Sequence, residues 1–479
     1  VTKLCFVTHG SKLCFAVVGL KREAELRHVR YQAELGNEDE SMSHLKNSAP
    51  ASRGSLAVIF LTVFIDLLGF AMVLPLLPVY ARKFNADESG WLIGMLMASF
   101  SIMQFLFAPL WGRISDRVGR RPVLLIGLAG AAVFYGVFGI ATMLHSVVWL
   151  FASRIGAGIA CATIPVAQAY IADTTTLENR TKGMALIGAA FGVGFCFGPL
   201  IGAAAILLSP GSVETSPWPG FAAAGLSTAA FLLALVLLPE SLRPGSKSAG
   251  HQVFDTGAWG TAYSTPSVPA LLLTSFVSVL SFGGFETTLA LLLKETPTVG
   301  QSTALSYEGR ESLFHFTDWQ VLLFFSYIGV VLSVAQGGIV RRLAGKVSEG
   351  KLATAGALFS VVGFGLLVLG VQQASLTLLM IASGVEVMGF AFITPSMHAL
   401  ISRRSDPAKQ GSIAGVSQSV SALGRIAGPL VALPLFSREP SLPYIVAAGL
   451  MLVGLLVMQF AVRGGKDYGV EAKDGAYSA

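Results

Sequence analysis

Charge is scarce in this chain: Asp, Glu, Lys and Arg make up 13% of its 479 residues, against about 25% in a soluble domain. Water is therefore not its main solvent. Signatures of bond-making chemistry are missing too. The sequence has no Gly-Lys-Ser or Gly-Lys-Thr phosphate loop, no zinc-ligand spacing and no nucleophile triad, and its glycine-rich stretches fall inside long apolar runs. That leaves an embedded enzyme as the weakest reading and gives no reason to expect a cofactor or a metal. There are only four cysteines, Cys5, Cys14, Cys161 and Cys196, without disulfide or metal spacing, and they do not indicate a redox compartment.

Apolar sequence is abundant. Hydrophobic residues make up 53% of the chain, and runs of about 20 residues, enough to cross about 30 Å of hydrocarbon, recur along almost everything after residue 55. The runs predict twelve helices. The first six lie near 56–80, 91–111, 122–143, 147–172, 183–208 and 220–239. The second six lie near 268–293, 319–340, 352–372, 375–400, 411–436 and 443–462. The fold class expected is all-α, a polytopic membrane protein of two six-helix bundles. The bundles span 56–241 and 268–462 and are joined by a polar cytosolic linker over 242–267, rich in Ser, Gly and Thr. Residues 1–55 hold a stretch too short and too interrupted to span; they read as a disordered cytosolic tail or an incomplete start, with a targeting remnant as the alternative. Residues 463–479 form a second cytosolic tail. The 296–317 segment is long for its loop, an ordered lid or simply slack.

The net charge of +6 does not indicate a nucleic-acid partner, because the basic residues are dispersed in short loops. Loops after even-numbered helices hold Arg113, Arg117, Arg120, Arg121, Arg180, Lys182, Arg243, Lys247, Arg341, Arg342, Lys346, Lys351, Arg403, Arg404 and Lys409. Loops after odd-numbered helices hold far fewer. That asymmetry places the even loops and both termini in the cytosol. The halves also echo each other. Gly112 and Gly337 each open a basic turn after the second helix of a half, roughly 225 residues apart, and Pro199 and Pro429 each follow Gly-x-x-x-Gly in the fifth, roughly 230 residues apart. Parallel repeats of this kind place a binding site between the halves.

Five ionisable groups fall inside the spans: Asp66 in helix one, Arg154 in helix four, Glu286 in helix seven, Glu386 in helix ten and Arg425 in helix eleven. Each costs at least about 2.5–3.5 kcal/mol at the bilayer centre, so each needs a compensating role. At 1.5 Å per residue, Asp66 and Glu386 lie about 15 and 16 Å deep, near the midplane. Desolvation favours the neutral form of a carboxyl, which lets such a group take up and release a proton. Arg154 either tunes that acid or meets an anionic solute, with a structural ion pair to Asp66 as the alternative. Glu286, preceded by Gly283 and Gly284, can line the cavity or sit at its rim, and Glu386 can act in transport or pair with Arg425. Gln104, Gln168, Gln336 and Gln418 add donors and acceptors, by default as glue between helices and otherwise as solute contacts. Phe191, Phe195 and Phe282 are candidates for an apolar cavity wall.

The loop after helix two reads Gly112-Arg-Ile-Ser-Asp116-Arg117-Val-Gly119-Arg120-Arg121-Pro122 and resembles the signature of the major facilitator superfamily. The resemblance runs from Ser55 to Arg463. Gly112 and Gly119 permit a tight turn, and Asp116 can pair with neighbouring arginines or cap a helix, which fits a gating latch better than a positive-inside anchor. In helix five, Gly194-x-x-x-Gly198-Pro199-x-x-Gly202 is similar to a pattern associated with antiporters, although close packing around a kink explains the same residues. Phe64-Ile65-Asp66-Leu67-Leu68-Gly69, Met103-Gln104-Phe105 with Ala108-Pro109, and Tyr170-Ile171-Ala172-Asp173 resemble the tetracycline-resistance branch and its eukaryotic relatives. The resemblance implies a proton-coupled antiporter of small organic solutes, drugs or organic anions. It would work as a monomer by alternating access in the plasma membrane or an organelle membrane, with Asp66, Arg154 and Glu386 around one central site. A facilitator or symporter on the same fold, or a non-transporting receptor, remains the alternative. One departure stands out: the bacterial branch has an acid in helix three within the stretch matching Gly130 to Tyr135, where this chain offers Phe134, so tetracycline itself is a poor guess for the substrate.

Overall fold

The computed structural model describes residues 53–84, 89–175, 177–208, 215–242, 256–294, 314–405 and 410–464. Residues 1–52 of the N-terminal tail and nearly all of the C-terminal one lie outside these ranges, as do most of the 296–317 segment and residues 243–255 of the linker. Twelve helices among the described residues are long and apolar enough to cross a membrane. They are α1 (Val58–Lys83), α2 (Trp91–Val118), α3 (Arg120–Met143), α4 (Val147–Thr174), α5 (Ile187–Leu207), α6 (Trp218–Leu237), α7 (Val268–Lys294), α8 (Asp318–Leu343), α9 (Glu349–Gln372), α10 (Leu376–Arg404), α11 (Ile413–Arg438) and α12 (Leu442–Gly464). The described residues contain no strand, as a bilayer requires unless a sheet closes on itself.

Within the first bundle α1 packs on α5 and α6, α2 on α4, and α3 on α4 and α6. Within the second, α7 packs on α11 and α12, and α9 on α10 and α12. Small residues permit these approaches: a methyl on Gly198 of α5 would come within 2.8 Å of the Ala71 Cβ and the Leu68 carbonyl on α1. Large apolar side chains such as Val133, Val148, Val236 and Phe460 point outward, as lipid-facing positions do where no water competes.

Three spans depart from regular α-helix. α1 is interrupted at Leu74 and Pro75, α4 unwinds over Cys161–Thr163 ahead of Pro165, and α8 carries a π-helical stretch over Val334–Val340. Pro395 stands 230 residues after Pro165, yet α10 runs on as one helix through it. Two expectations about turns need correction. Gly112 lies inside α2, which continues to Val118, and only Gly119, at φ +112°, turns the chain; Gly337 sits in the π-helical stretch rather than in a turn. The expected linker also contains a short helix, Thr256–Ser264, on which Trp259 stacks with Tyr263.

The linker joins the bundles at the end where α6 stops and α7 starts, here termed the linker side, and the opposite end is the far side. The contacts between bundles are made by α5 with α8, α2 with α11, and the second segment of α1 with α7 and α8. They lie towards the far side, where Gly90, just before α2, and Gly94 of α2 meet Leu433 and Pro429 of α11, and Gly202 of α5 meets Leu322 of α8.

Candidate functional site between the two bundles

The break in α4 creates the polar centre of the first bundle. Pro165 has no N–H to give the carbonyl four residues before it, and that carbonyl, on Cys161, instead accepts from Gln104 Nε2 of α2 at 3.3 Å. Trp111 Nε1 likewise serves the Ile159 carbonyl at 2.7 Å. The unwound turn also aims the Cys161 thiol at α1, where it donates to Asp66 Oδ1 at 3.3 Å; the Tyr135 hydroxyl of α3 stands 3.9 Å from the sulfur. Tyr135 and Cys161 are buried while Asp66 is half-buried, so Asp66 is the least enclosed member of a cluster from three helices. The helix-three stretch that offers no carboxylate thus supplies Tyr135 instead, and Phe134 packs its ring against Gly156 of α4.

Arg154 is 1% exposed, none of its guanidinium nitrogens has a hydrogen-bond partner, and its guanidinium lies 5.1 Å from the Phe100 ring centroid. It forms no ion pair with Asp66, contrary to the structural alternative. A buried cation held only by a ring face is an expensive arrangement.

The second bundle separates the remaining candidates. Glu386 is 2% exposed and lies in the seam between α9 and α10, where a methyl on Gly363 would come within 2.7 Å of its backbone nitrogen; its Oε2 has no partner. Its contacts belong to the second bundle and those of Asp66 and Arg154 to the first, so the expectation of one pocket holding all three is corrected. Glu386 also makes no ion pair with Arg425. Arg425 is exposed, as is Gln418 seven residues before it, a spacing that puts both on one face of α11. One turn further along that face Pro429 meets Gly94 of α2, so Arg425 and Gln418 lie on the face of α11 that is turned towards the first bundle. Glu286 lies in a small cavity formed by both bundles, whose walls include Phe195, Pro199 and Phe282. Phe191 packs instead among residues of α1, α3 and α4. Gln168 is half-buried on the second segment of α4, and Gln336 is half-buried in the π-helical stretch of α8.

The two ends of the molecule are fastened differently. On the linker side, Arg120 pairs with Asp116 and with Asp173, and Arg403 pairs with Glu349; each pair joins residues of one bundle. Glu240, just past α6, accepts from the backbone N–H groups of Arg120 and Arg121 at 2.9 and 3.1 Å and so caps α3, a role the sequence alone did not reveal. On the far side Lys294 at the end of α7 pairs with Asp318 at the start of α8, and Asp318 Oδ2 accepts from the backbone N–H of Thr215, a residue of the first bundle, at 3.3 Å. Nearer the middle, Ser326 and Ser333 of α8 donate to the carbonyls of Cys196 and Gly192 of α5, each at 2.8 Å. Sequence reasoning missed Cys161, Tyr135 and this far-side clasp. The available signal was a tyrosine in an apolar helix, whose hydroxyl needs a partner when buried.

Two six-helix bundles that meet around ionisable residues inside a bilayer-length fold are the architecture of a secondary transporter. Residues 59–429 match the family model described as Major Facilitator Superfamily, and the chain belongs to that superfamily. It is 32% identical over 414 residues to the tetracycline resistance protein, class C, of Escherichia coli, covering 84% of this chain and 96% of that one. It is 30% identical over 437 residues to the human major facilitator superfamily domain-containing protein 10, covering 80% and 87%. The crystal structure of the human organic anion transporter MFSD10 matches with a TM-score of 0.62 and 27% identity, covering 86% of this chain and all of that one. The chain is thus a multi-pass membrane transporter of small solutes and not an enzyme.

Proposed function

We propose that the protein exports small organic anions in exchange for protons, by rocking its two bundles about the seam between them. The observation that carries this reading is Arg425. It is a guanidinium inside the span, exposed on the α11 face turned towards the other bundle, with Gln418 on the same face and no ion pair among the described residues. A permanently charged group in that position stabilises a solute carboxylate, sulfonate or phosphate. The name of one similar structure, an organic anion transporter, agrees with that chemistry.

Asp66 serves as the proton site, with Cys161 and Tyr135 orienting it. Proton uptake there and anion release at Arg425 alternate as the bundles rock. The Lys and Arg excess in the even loops supports cytosolic termini, which makes the far side the non-cytosolic face. The Asp116–Arg120–Asp173 network and the Gly194–Gly202 stretch of α5 then act as gating elements, and one chain contains the whole pathway.

The test is transport in vesicles. Purified protein is reconstituted with an imposed pH gradient, and the flux of an anionic fluorescent probe is compared with that of a neutral probe of similar size. Gradient-driven anion flux that fails in Asp66→Asn and weakens in Arg425→Ala is the expected result. Flux indifferent to the pH gradient and normal in Asp66→Asn points instead to a facilitator.

A further inference from the structure

Glu286 stands apart from both the Asp66 cluster and the anion face of α11. It lies eight residues before the far-side end of α7, about 12 Å from that end at 1.5 Å per residue. Its cavity is shared between the bundles, with Pro75 of α1 and Phe195 and Pro199 of α5 on one side, and Phe282 of α7 and Phe325 and Ile328 of α8 on the other. These neighbours lie seven to twelve residues from the far ends of their own spans. The residue therefore occupies the layer where the bundles are closed on each other.

No cation and no other titratable side chain lines that cavity. On the packed elements, Asp66 of α1 bonds Cys161, Tyr80 of α1 bonds the Ser216 carbonyl, and Tyr327 of α8 bonds the Met380 carbonyl. Asp318 of α8 pairs with Lys294, and Tyr444 of α12 lines a different cavity. Arg82 and Lys83 of α1, Cys196 of α5, Arg341 and Arg342 of α8, Glu386, His398, Arg403 and Arg404 of α10, Arg425 and Arg438 of α11 and Arg463 of α12 are the remaining titratable groups of these spans, and none is among the residues lining the cavity. A carboxylate enclosed by phenylalanine and proline faces a desolvation cost of several kcal/mol without a counterion, whereas a neutral carboxyl loses far less. Pro199, the residue at the centre of the α5 pattern, is itself part of the wall, which ties the proline-bearing stretch of α5 to the acid it covers.

We propose that Glu286 is the proton-binding site of the far-side gate: the bundles close over it with its carboxyl protonated, and it releases the proton to the far side as they separate. This rests on the transporter reading and adds a second protonation site to it, one per bundle. The sign follows from proton linkage. The closed state holds one more proton than the open state, so lowering the pH favours closure and raising it favours opening, by up to tenfold per pH unit.

Ile328 in the same seam reports the gate. The full chain carrying Ile328→Cys is reconstituted without solute and labelled from the far side with a membrane-impermeant maleimide. Labelling of the chain without the added cysteine is subtracted, and each rate is divided by that of the unfolded protein at the same pH. Normalised labelling is expected to rise with pH, by up to tenfold per unit, and adding Glu286→Gln is expected to leave it low and flat. Glu286→Asp keeps a titrating carboxyl and is expected to keep the rise with a moved midpoint. A flat profile in Ile328→Cys alone, the full rise persisting in Glu286→Gln, or an unmoved midpoint in Glu286→Asp overturns the proposal. Should Glu286→Gln fail to give a monodisperse peak on size exclusion, the other two profiles decide. Because no solute is present, failure here is separate from failure of anion and proton exchange, which is read by flux in Asp66→Asn.

Discussion

Asp318 and Thr215 belong to different bundles, and a hydrogen bond of 3.3 Å from the Thr215 N–H to Asp318 Oδ2 joins them at the far side. Thr215 adopts φ +54° to make it, a left-handed conformation that a β-branched residue rarely takes. The acid is 0% exposed and is neutralised by Lys294. A clasp built from one charge pair and one backbone N–H can be released as a unit when the far side opens.

Asp318→Asn leaves Lys294 without its buried counterion. Breaking such a pair from one side costs about 3–5 kcal/mol, so the variant is expected to unfold at lower temperature in detergent and to expose the far-side seam more often. Thermal unfolding followed by tryptophan fluorescence checks the first effect and far-side cysteine labelling the second. Replacing Lys294 with Met and Asp318 with Leu together is expected to recover most of the lost stability, because it removes both buried charges.

Cys161→Ala removes the thiol that donates to Asp66. Loss of a hydrogen bond to a charged group is worth about 1.5–3 kcal/mol, and gradient-driven flux is expected to fall about tenfold or more. Cys161→Ser, which keeps a donor, is expected to stay within about threefold of the parent. Equal loss in both variants, measured as initial flux, would mean that the cysteine acts by volume and not by its bond.

Arg425→Ala is expected to raise the KM for an anionic probe about tenfold or more and to leave that for a neutral probe unchanged, with Arg425→Lys in between. A charge-assisted contact is stronger than a neutral one by about a factor of two, and the neutral probe never makes it. Concentration series in vesicles for the two probes give the comparison.

Arg120→Ala strands two acids, because Asp116 and Asp173 both lean on that guanidinium. The expected outcome is loss of thermal stability of about 2–4 kcal/mol, larger than for Arg117→Ala, whose side chain is exposed. Melting curves of the two variants side by side measure the difference.

The spans and the family were written in local sequence. Each apolar run of α1 to α12 has to satisfy its backbone internally and match a fixed hydrocarbon thickness, so its position follows from composition alone, and the ends read from sequence fall within four residues of those observed except at the end of α2, which runs on to Val118. Asp66, Arg154, Glu286, Glu386 and Arg425 were equally legible as costly groups, because cost depends on residue type and depth. Which of them act together was not. Asp66 meets Cys161 across 95 residues of chain, Glu286 looks out between bundles, and Glu386 turns into a seam within one bundle. A helical residue's neighbours are set by the rotation of its helix and by the partner it packs on, and neither is encoded in the spacing of one apolar run. The sequence determined what is buried and at what depth; only the packing of one bundle on the other decided what each buried charge faces.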